Sequence, residues 1–414
     1  MLVIREPHIV SPSVMAGGPL LPASAALLCA LLAAVGCGGD RSGEVAWIEL
    51  PPAPHSSAPS LTAQGDDLLL SWVERTQDEK SVLRYARWSD DEWKEPRTVA
   101  PASADLRLES VWSDPPQLAA RLGGGLLVAW SRSAGGRGYG IDRFLTESTD
   151  GREWREGAAL GGRGDGRQRG WGTLLTAGSV DPVAEDSVGI AWLETGNGGT
   201  RLLYQEWESD GRGPEEIVDD DVCPWCRVAG VRFRGRSLLA YRDRSSAGVR
   251  DSAIRRRTQQ GWSPTQSIHE DGWKLGSCPG SGPALALAGE RLVAVWFTAA
   301  DDDPRVLVAS SSDGVTFEAP RRVDDGDPLG RVAAAGWDDG SLYVSWFERT
   351  GRDATVRLRR IDPAGAGDEA VVLGPTETGT AAGIPRMART ADRVYVAWTA
   401  PGPPSSIHVA SIRP

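Results

Sequence analysis

The chain has little of what most enzymes use for catalysis. Its 414 residues include only four histidines and five cysteines. With so few histidines, triads that use histidine as a base are not expected. Phosphate-cradling glycine loops, His-Glu-x-x-His motifs and calcium-loop motifs are also absent from the sequence. The common catalytic motifs are therefore excluded.

The chain also lacks an excess of basic residues and long helical patterns. It has 45 Lys and Arg against 56 Asp and Glu, a net charge of −11. Because a nucleic-acid binder needs a basic face to neutralise phosphates, we expect no nucleic-acid partner. Fifty glycines and 28 prolines, without long amphipathic stretches of period 3.6, favour a turn-rich all-β chain.

What the sequence does have is an apolar strand with one aromatic residue that recurs seven times. Successive aromatic positions lie 49 to 62 residues apart. A period near fifty, with several short strands per unit, is typical of a β-propeller. The seven copies are LLLSWVERT (Trp72), LLVAWSRSA (Trp130), VGIAWLETG (Trp192), SLLAYRDRS (Tyr241), LVAVWFTAA (Trp296), LYVSWFERT (Trp346) and VYVAWTAPG (Trp398).

Each repeat reads as four strands, a to d, with the aromatic residue on strand b. The seventh repeat ends after strand c, whereas residues 44–52 resemble a strand d with no strands a to c before it. Pairing the two would remove two free sheet edges. We therefore predict an all-β, seven-bladed β-propeller of four-stranded antiparallel blades over residues 44–414, its ring closed by the N-terminal strand.

The first 36 residues contain the one long apolar run. It spans residues 18–36, ends in small residues and precedes Cys37. This pattern resembles the signal of bacterial lipoproteins, in which the cysteine is acylated. The resemblance implies a signal peptide at 1–36, a tether at 37–43, and an extracytoplasmic protein anchored in the membrane by a lipid on Cys37. An uncleaved N-terminal membrane anchor is the alternative.

Two turns between strands c and d have the sequences STDGREW and SSDGVTF. They resemble the Asp-box, or BNR, repeat of sialidase-like propellers. Asp-Gly makes the turn, the Asp and Ser side chains bond backbone N–H groups, and the aromatic ring fills the space between strands. The matching residues are Ser148, Asp150, Gly151, Trp154, Ser311, Asp313, Gly314 and Phe317.

Residues 240–251, 269–286, 295–306 and 324–332 resemble bacterial extracytoplasmic proteins that are called BNR-repeat or exo-α-sialidase-like. Sialidases use an Arg-Ile-Pro arginine, two more arginines, a Tyr nucleophile with a Glu base, and an Asp acid. Arg-Ile-Pro is absent here, and only Tyr139 lies in a suitable loop. The resemblance therefore implies the fold and leaves catalytic activity open.

In a propeller the d-to-a and b-to-c connections open on one face. In blades four to six these connections carry charged residues from which Arg242, Arg305 and Arg331 could clamp a carboxylate or sulfate by forked hydrogen bonds. The alternative is an inter-blade ion-pair network that locks the loops. The candidate ligand-binding residues are Arg242, Asp243, Arg244, Arg250, Asp251, Lys274, Asp301, Arg305 and Arg331.

Cys223, Cys226 and Cys278 remain after the signal and lipid cysteines are removed. Adjacent blades would bring their loops together. Three interpretations stay open: a disulfide from Cys278 to one of the pair, a Cu(I) or zinc site completed by His269, or a redox dithiol in the Cys-Pro-Trp-Cys motif.

We expect a monomer that requires no cofactor and binds a small anionic or glycan-type ligand, or an envelope protein, at the face of blades four to six. The alternatives are an exo-glycosidase that works through carboxylates on that face, and a scaffold in an envelope complex.

Overall fold

The computed structural model describes residues 43–51, 53–76, 80–100, 114–121, 123–133, 141–162, 165–176, 187–208 and 211–414. In this part of the chain the secondary structure is almost entirely β-strand, with two single-turn 3-10 helices at Ala300–Asp302 and Thr380–Ala382. Neither helix is long or apolar enough to cross a lipid bilayer, and no other helix occurs in the described ranges. The prediction of an all-β chain is confirmed.

The first fifteen strands in chain order are β1 (Val45–Ile48), β2 (Ser56–Gln64), β3 (Asp67–Arg75), β4 (Ser81–Ser89), β5 (Glu92–Trp93), β6 (Arg97–Ala100), β7 (Gln117–Ala120), β8 (Leu126–Ser133), β9 (Ile141–Ser148), β10 (Ala158–Ala159), β11 (Gln168–Leu175), β12 (Val188–Gly196), β13 (Gly199–Glu208), β14 (Gly211–Arg212) and β15 (Glu216–Asp219). The next sixteen are β16 (Ala229–Phe233), β17 (Arg236–Arg242), β18 (Ser252–Thr258), β19 (Gly261–Trp262), β20 (Gln266–Ser267), β21 (Ala284–Ala288), β22 (Arg291–Thr298), β23 (Arg305–Ser311), β24 (Arg321–Arg322), β25 (Pro328–Gly336), β26 (Leu342–Thr350), β27 (Asp353–Ile361), β28 (Val371–Thr376), β29 (Arg386–Arg389), β30 (Val394–Ala400) and β31 (Ser406–Ile412).

The strands form six sheets, and the predicted four-stranded antiparallel arrangement is present. Three sheets have four strands, in the orders β21-β22-β23-β24, β25-β26-β27-β28 and β1-β31-β30-β29. Two sheets have five strands. Four of them follow the orders β2-β3-β4-β5 and β16-β17-β18-β19, and the fifth, β6 or β20, is a short strand that pairs with β4 or β18. The sixth sheet has nine strands, and in it β7-β8-β9 and β11-β12-β13 are joined by one parallel pair, Gln168 with Ile141.

The seven predicted aromatic strands are β3, β8, β12, β17, β22, β26 and β30, and each has a strand paired on both sides. Their aromatic side chains are at most 7 % exposed. Both faces of these strands pack against other sheets, which explains why their sequences are almost continuously apolar instead of alternating. The large buried rings fix the spacing between sheets.

The N-terminal strand β1 pairs antiparallel with β31, with Val45 opposite Ile412 and Ile48 opposite Val409. The indole ring of Trp47 lies edge-on to that of Trp398, with centroids 5.6 Å apart. β1 is therefore the outermost strand of the sheet built from the last three strands of the chain.

The first strand of each group contacts the first strands of its neighbours: β2 contacts β7 and β29, β11 contacts β7 and β16, β21 contacts β16 and β25, and β25 contacts β29. Because paired strands alternate in direction, all first and third strands begin at the same end of their sheets. We call this end the upper face. It is where the b-to-c and d-to-a connections lie.

The two Ser-x-Asp-Gly turns lie at the opposite end and have the same hydrogen bonds. Asp150 Oδ1 accepts from the N–H groups of Arg152 and Glu153, at 2.8 and 3.0 Å. Asp313 Oδ1 accepts from Val315 and Thr316, both at 2.8 Å. In each turn the serine hydroxyl also accepts from the N–H of the turn glycine, Gly151 or Gly314. These side chains are occupied in holding the turn.

Candidate functional site

Arg242, the last residue of β17, is 1 % exposed and acts as an anchor between loops. Its guanidinium group lies 4.8 Å from the ring centroid of Trp273. It donates hydrogen bonds to three backbone carbonyls, those of Ser281 (3.0 Å), Arg250 (2.5 Å) and Phe297 (2.9 Å). These contacts favour the loop-locking interpretation of Arg242 over a role in clamping a ligand.

Arg331 is placed in a similar way. It is 7 % exposed, and it donates to the carbonyls of Gly383 (3.2 Å) and Thr378 (3.0 Å) in the connection before β29. Burial lowers the pKa of Arg331 to about 10. The guanidinium group lies 5.3 Å from the ring centroid of Phe347. Like Arg242, it joins neighbouring sheets through backbone carbonyls.

The remaining predicted basic residues are dispersed over the upper face. Arg244 pairs with Asp221 at 2.8 Å, and Arg305 pairs with Asp303 at 3.2 Å. Lys274 and Asp301 are exposed. Exposed pairs of this kind contribute little to stability, so these residues define no buried site.

Asp243 and Asp251 do come together, in a pocket of about 370 Å³ that Glu270 also lines. The N–H of Asp243 donates to the carbonyl of Asp251 at 3.0 Å. The carboxylate of Asp251 accepts from the N–H groups of Gly272 and Trp273, at 2.8 and 3.0 Å. Burial raises the pKa of Asp243. No arginine is among the described residues that line this pocket, so it is an acidic pocket and not the predicted anion clamp.

The three cysteines lie together, with all their sulfur atoms within 4.8 Å of one another. Cys226 Sγ is 3.4 Å from Cys223 Sγ and 2.6 Å from Cys278 Sγ, and all three are free thiols. The predicted fourth ligand, His269, is not part of the group. Its Nδ1 lies 2.8 Å from the carboxylate of Asp271.

The strongest concentration of buried positive charge lies elsewhere on the upper face, where first strands meet. Arg143 on β9 is 1 % exposed and donates from Nη1 to both carboxylate oxygens of Asp114, at 3.0 and 2.8 Å. Its Nε and Nη2 are buried and have no hydrogen-bond partner among the described residues. Three of the five N–H donors of this guanidinium group therefore have no acceptor in the described part of the chain.

Arg386, the first residue of β29, is the second such arginine. Its Nε and Nη2 are also inaccessible to solvent and lack an acceptor in the described ranges. Burial lowers the pKa of Arg386 well below its ordinary value, the nearby charges of Arg227 and Arg143 lower it further, and Asp114 raises it. These four side chains, Asp114, Arg143, Arg227 and Arg386, are therefore close, and we call them the central arginine group.

Arg227 completes the group from the segment before β16. It donates from Nη2 to the carbonyls of Val332 (3.1 Å) and Pro283 (3.4 Å). Burial lowers the pKa of Arg227 to about 10. Three guanidinium groups thus lie near one another, and one of them, that of Arg143, is paired with Asp114.

An open pocket of about 390 Å³ lies on the upper face, and none of the four side chains of the central arginine group lines it. Its lining includes Pro115, which follows Asp114, and Ile384, which is two residues from Arg386. The exposed side chains of His55 and Arg75 lie at its rim. The volume is within the range typical of small-ligand sites.

The sequence analysis missed the central arginine group. A partial signal was present, because Asp114 stands just before the apolar residues 118–120 of β7, and Arg386 begins β29, which also carries Arg389. A charged residue at the upper end of an otherwise apolar inner strand needs a partner, since burying an unpaired charge is costly.

No protein-family model matches this chain, and no curated protein resembles it in sequence. Solved structures do resemble it in fold. The polysaccharide lyase Uly1 superposes with a TM-score of 0.52 at 8 % identity, covering 86 % of this chain and 90 % of that one. An ulvan lyase of family PL25, bound to -[GlcA(1-4)Rha3S]-, gives 0.52 at 10 % identity, covering 88 % and 93 %. The Hadza microbial sialidase Hz136 gives 0.49 at 12 % identity, covering 81 % and 73 %.

The chain has a sialidase-like propeller fold. This confirms the resemblance inferred from its repeats, and at such low identity the likeness concerns the fold alone.

In this sialidase-like propeller the described tyrosines that bond a carboxylate are core residues. Tyr204 donates to Glu206, and Tyr241 donates to Asp219 at 2.5 Å. Both tyrosines are at most 1 % exposed, and burial raises the pKa of each well above its ordinary value. Neither is placed to attack a substrate. Tyr139, like Cys37 and the whole predicted signal segment, lies outside the described residues.

Proposed function

We propose that this chain is an extracytoplasmic propeller that binds an anionic glycan, with the sugar's carboxylate or sulfate held by the central arginine group. One observation carries the proposal: Arg143 and Arg386 each keep two guanidinium nitrogens buried and unpartnered in the described part of the chain. Two buried arginines, Arg143 and Arg227, and the partly buried Arg386 lie near a single described carboxylate, that of Asp114, and leave an excess of positive charge, which an anion would compensate. Carboxylate and sulfate match the forked donors of arginine.

The pocket of about 390 Å³ supports this assignment because two residues close in sequence to the group, Pro115 and Ile384, line it. Sugar rings that project from the bound anion would fill the pocket. The rim residues His55 and Arg75 offer further polar contacts there. Arg242 and Arg331, which the sequence suggested as ligand-binding residues, would act indirectly, because they fix the loops around the site.

A structure of the same fold supports the class of ligand. The PL25 ulvan lyase is bound to a unit of glucuronic acid and sulfated rhamnose, which carries both a carboxylate and a sulfate. Since fold does not determine function, this likeness only makes the ligand class reasonable. The buried arginines remain the main argument.

The test is the affinity of the purified protein for ulvan oligosaccharides, measured by isothermal titration calorimetry against a neutral oligosaccharide of the same length. Arg386→Gln removes the charge while keeping a side chain of similar length. We expect affinity for the anionic oligosaccharide to fall at least about tenfold, a loss near 1.4 kcal/mol.

Arg389→Gln is the matched control, because Arg389 lies on the same strand but pairs with Asp338 at 2.6 Å. This variant should bind as the wild type does. Equal binding by Arg386→Gln and wild type, or equal affinity for the neutral oligosaccharide, would refute the proposal. If neither sugar binds, an envelope protein is the remaining candidate ligand.

The same proposal takes the ring to have seven blades closed by the N-terminal strand. Support comes from the neighbour contacts of the first strands, which run from β2 through β7, β11, β16, β21, β25 and β29 and return to β2. The pairing of β1 with β31 supports the closure. Such a ring gathers the beginnings of all first strands around one axis, where the central arginine group would lie.

We also keep the proposal that residues 1–36 are a signal peptide and that Cys37 carries a lipid, so that a monomer is held at the membrane outside the cytoplasm. Metabolic labelling with an alkyne fatty acid tests it. Label should enter the wild type and be lost from Cys37→Ser, which should also leave the membrane fraction. Labelling of the serine variant would exclude this anchor.

A second candidate function is exo-glycosidase activity in the acidic pocket. The observation that favours it is a pair of neighbouring carboxyl groups in unlike settings: burial raises the pKa of Asp243, whereas Asp251 accepts two backbone N–H bonds. Two such groups suit an acid and a base or nucleophile. Hydrolysis of fluorogenic glycosides by the wild type, lost in both Asp243→Asn and Asp251→Asn, would establish it. Hydrolysis that persists in Asp243→Asn would exclude it.

A further inference from the structure

The cysteine group is built from two connections on the upper face. Cys223 and Cys226 lie between β15 and β16, and Cys278 lies between β20 and β21, 52 residues later. Cys226 is the middle member, because its sulfur is 3.4 Å from that of Cys223 and 2.6 Å from that of Cys278. Either neighbour can therefore form a bond to Cys226 with a small movement.

Access to solvent differs among the three thiols. Cys223 and Cys226 are each 1 % exposed, whereas Cys278 is partly exposed. A reagent from outside therefore reaches Cys278 first. The other two thiols are reached only through the protein interior.

Cys223 lies beside a cation. Arg250, which is 9 % exposed, donates from Nη1 to Cys223 Sγ at 3.2 Å. The thiols of Cys226 and Cys278, and then the charge of Arg250, lower the pKa of Cys223. A thiolate is the nucleophile in exchange with a disulfide, so Cys223 is prepared for that reaction.

The spacing of the sulfurs argues against a metal ion as the natural occupant. Two thiolates on one tetrahedral zinc, each about 2.3 Å from the metal, lie roughly 3.7 Å apart. Cys226 and Cys278 are more than 1 Å closer than that, at 2.6 Å. In addition, His269 is bonded to Asp271 and supplies no fourth ligand.

We propose that Cys278, Cys226 and Cys223 form a thiol–disulfide relay, in which Cys278 accepts a disulfide from an external donor and Cys226 passes it to Cys223. The reaction is separate from glycan binding and does not depend on it. The external oxidant is a low-molecular-weight or protein disulfide, RS–SR.

Each step exchanges one S–S bond for another. The contact with Cys223 raises the pKa of Cys278 to about 12, so Cys278 first passes its proton to the Cys223 thiolate. The sulfur of Cys278 then attacks RS–SR, which forms a mixed disulfide and releases one RS⁻. The Cys226 thiolate then attacks the sulfur of Cys278, forms the Cys226–Cys278 bond and releases the second RS⁻. Finally Cys223 attacks Cys226 and frees Cys278. Overall two protein thiols lose two electrons and their protons, and RS–SR becomes two RSH.

Oxidised glutathione is a suitable probe, followed by quenching with an alkylating agent, trypsin digestion and mass spectrometry of the full-length protein. Trypsin leaves Cys223 and Cys226 together in the peptide 213–227 and Cys278 in the peptide 275–291. A bond within the first peptide and a bond between the two peptides are therefore distinguishable by mass.

The relay predicts different products for three serine variants. Cys223→Ser should stop at the Cys226–Cys278 link, and Cys226→Ser should stop at glutathione on Cys278. Cys278→Ser should be oxidised at least about tenfold more slowly than wild type, because its two remaining thiols are buried. Wild type should form the link between peptides first and the Cys223–Cys226 bond later.

Three results would overturn the relay. One is oxidation of Cys278→Ser at the wild-type rate, and another is a Cys223–Cys278 link in Cys226→Ser. The third is wild-type protein that retains one equivalent of metal and reacts with glutathione only after chelation. If the serine variants fail to fold, the order of appearance of the two wild-type products still decides the question.

Discussion

Arg143 Nη1 binds both carboxylate oxygens of Asp114, at 3.0 and 2.8 Å, and the two side chains are only 1 % and 3 % exposed. Ser131 Oγ also lies 3.2 Å from Asp114. The pair joins β9 to the segment before β7. Because both charges are out of water, each is tolerated only while the other is present.

Removing the charge of Asp114 should therefore destabilise the fold strongly. Asp114→Asn leaves Arg143 buried without a counter-ion, and we expect the free energy of unfolding to fall by about 3–5 kcal/mol. Urea denaturation measures it, as a lower midpoint with an unchanged slope. Asp303→Asn is the control, because the Asp303–Arg305 pair is exposed and should contribute less than about 1 kcal/mol. Equal midpoints for Asp114→Asn and wild type would show that the central group is not stabilised by this pair.

The turn glycines should differ in how well they tolerate a side chain. A Cβ on Gly151 would lie 2.2 Å from Tyr85 Oη, which donates to the Gly151 carbonyl at 2.6 Å. Gly65 has a similar φ, +61° against +68°, but open space around it.

Gly65→Ala should therefore show only the left-handed backbone penalty of about 1–2 kcal/mol. Gly151→Ala should lower the free energy of unfolding by the same backbone penalty and by about 1 kcal/mol more, because the tyrosine hydrogen bond is displaced. Thermal unfolding of the two variants measures the difference. Equal losses would mean that Tyr85 moves aside without cost.

The repeat could be predicted from the sequence because the same packing requirement acts on seven strands. A strand buried on both faces must be apolar throughout, and each of these strands needs one large ring to fill the space between sheets. Trp192, Trp296, Trp346 and Trp398 are 0 % exposed for that reason. The pattern is local, so the sequence displays it directly.

The candidate site could be predicted only in part, because its residues come from separate sheets and not from one stretch of the chain. Arg242 and Arg331 are on the expected face, but they donate their hydrogen bonds to carbonyls of neighbouring loops and not toward a ligand. Composition does not reveal where a loop carbonyl lies. Arg143 and Arg386, 243 residues apart, have no sequence pattern that connects them. The three cysteines were found because thiols are rare in this chain.

The pH dependence of stability should reveal how much the carboxylates of the two Ser-x-Asp-Gly turns stabilise the fold. Hydrogen bonds from the N–H groups of Thr316 and Val315 lower the pKa of Asp313 below its ordinary value. A carboxylate whose pKa is lower in the folded state stabilises that state above the unfolded pKa, about 3.9 for Asp. This stabilisation is lost as the pH falls through the lower, folded value.

Asp313→Asn should therefore melt below wild type at pH 7 and at pH 5 by the same amount. The gap should narrow below about pH 4, as wild type loses its carboxylate and the variant does not change. Asp150→Asn should behave alike, because Glu153 and Arg152 lower the pKa of Asp150 in the same way. A gap that stays constant down to pH 2 would show that these carboxylates do not hold the turns.

Removing the N-terminal strand tests the closure of the ring. β1 covers the edge of β31, and its Val45 and Ile48 are half-buried against the apolar side chains of neighbouring sheets. Deleting residues 44–50 uncovers those side chains and a row of backbone groups. Full burial of an aliphatic side chain contributes about 1.5–3 kcal/mol, so each half-buried one contributes roughly half of that, and the melting temperature should fall clearly.

Two companion variants separate the causes of that loss. A glycine–serine segment of equal length in place of residues 44–50 keeps the chain but not the apolar contacts, and it should be nearly as unstable as the deletion. Trp47→Ala should be much milder, because Trp47 is 56 % exposed and loses mainly its edge contact with Trp398, about 0.5–1.5 kcal/mol. A deletion variant that melts with the wild type would mean that the last sheet is stable with β31 as its edge, and that the N-terminal strand does not close the ring.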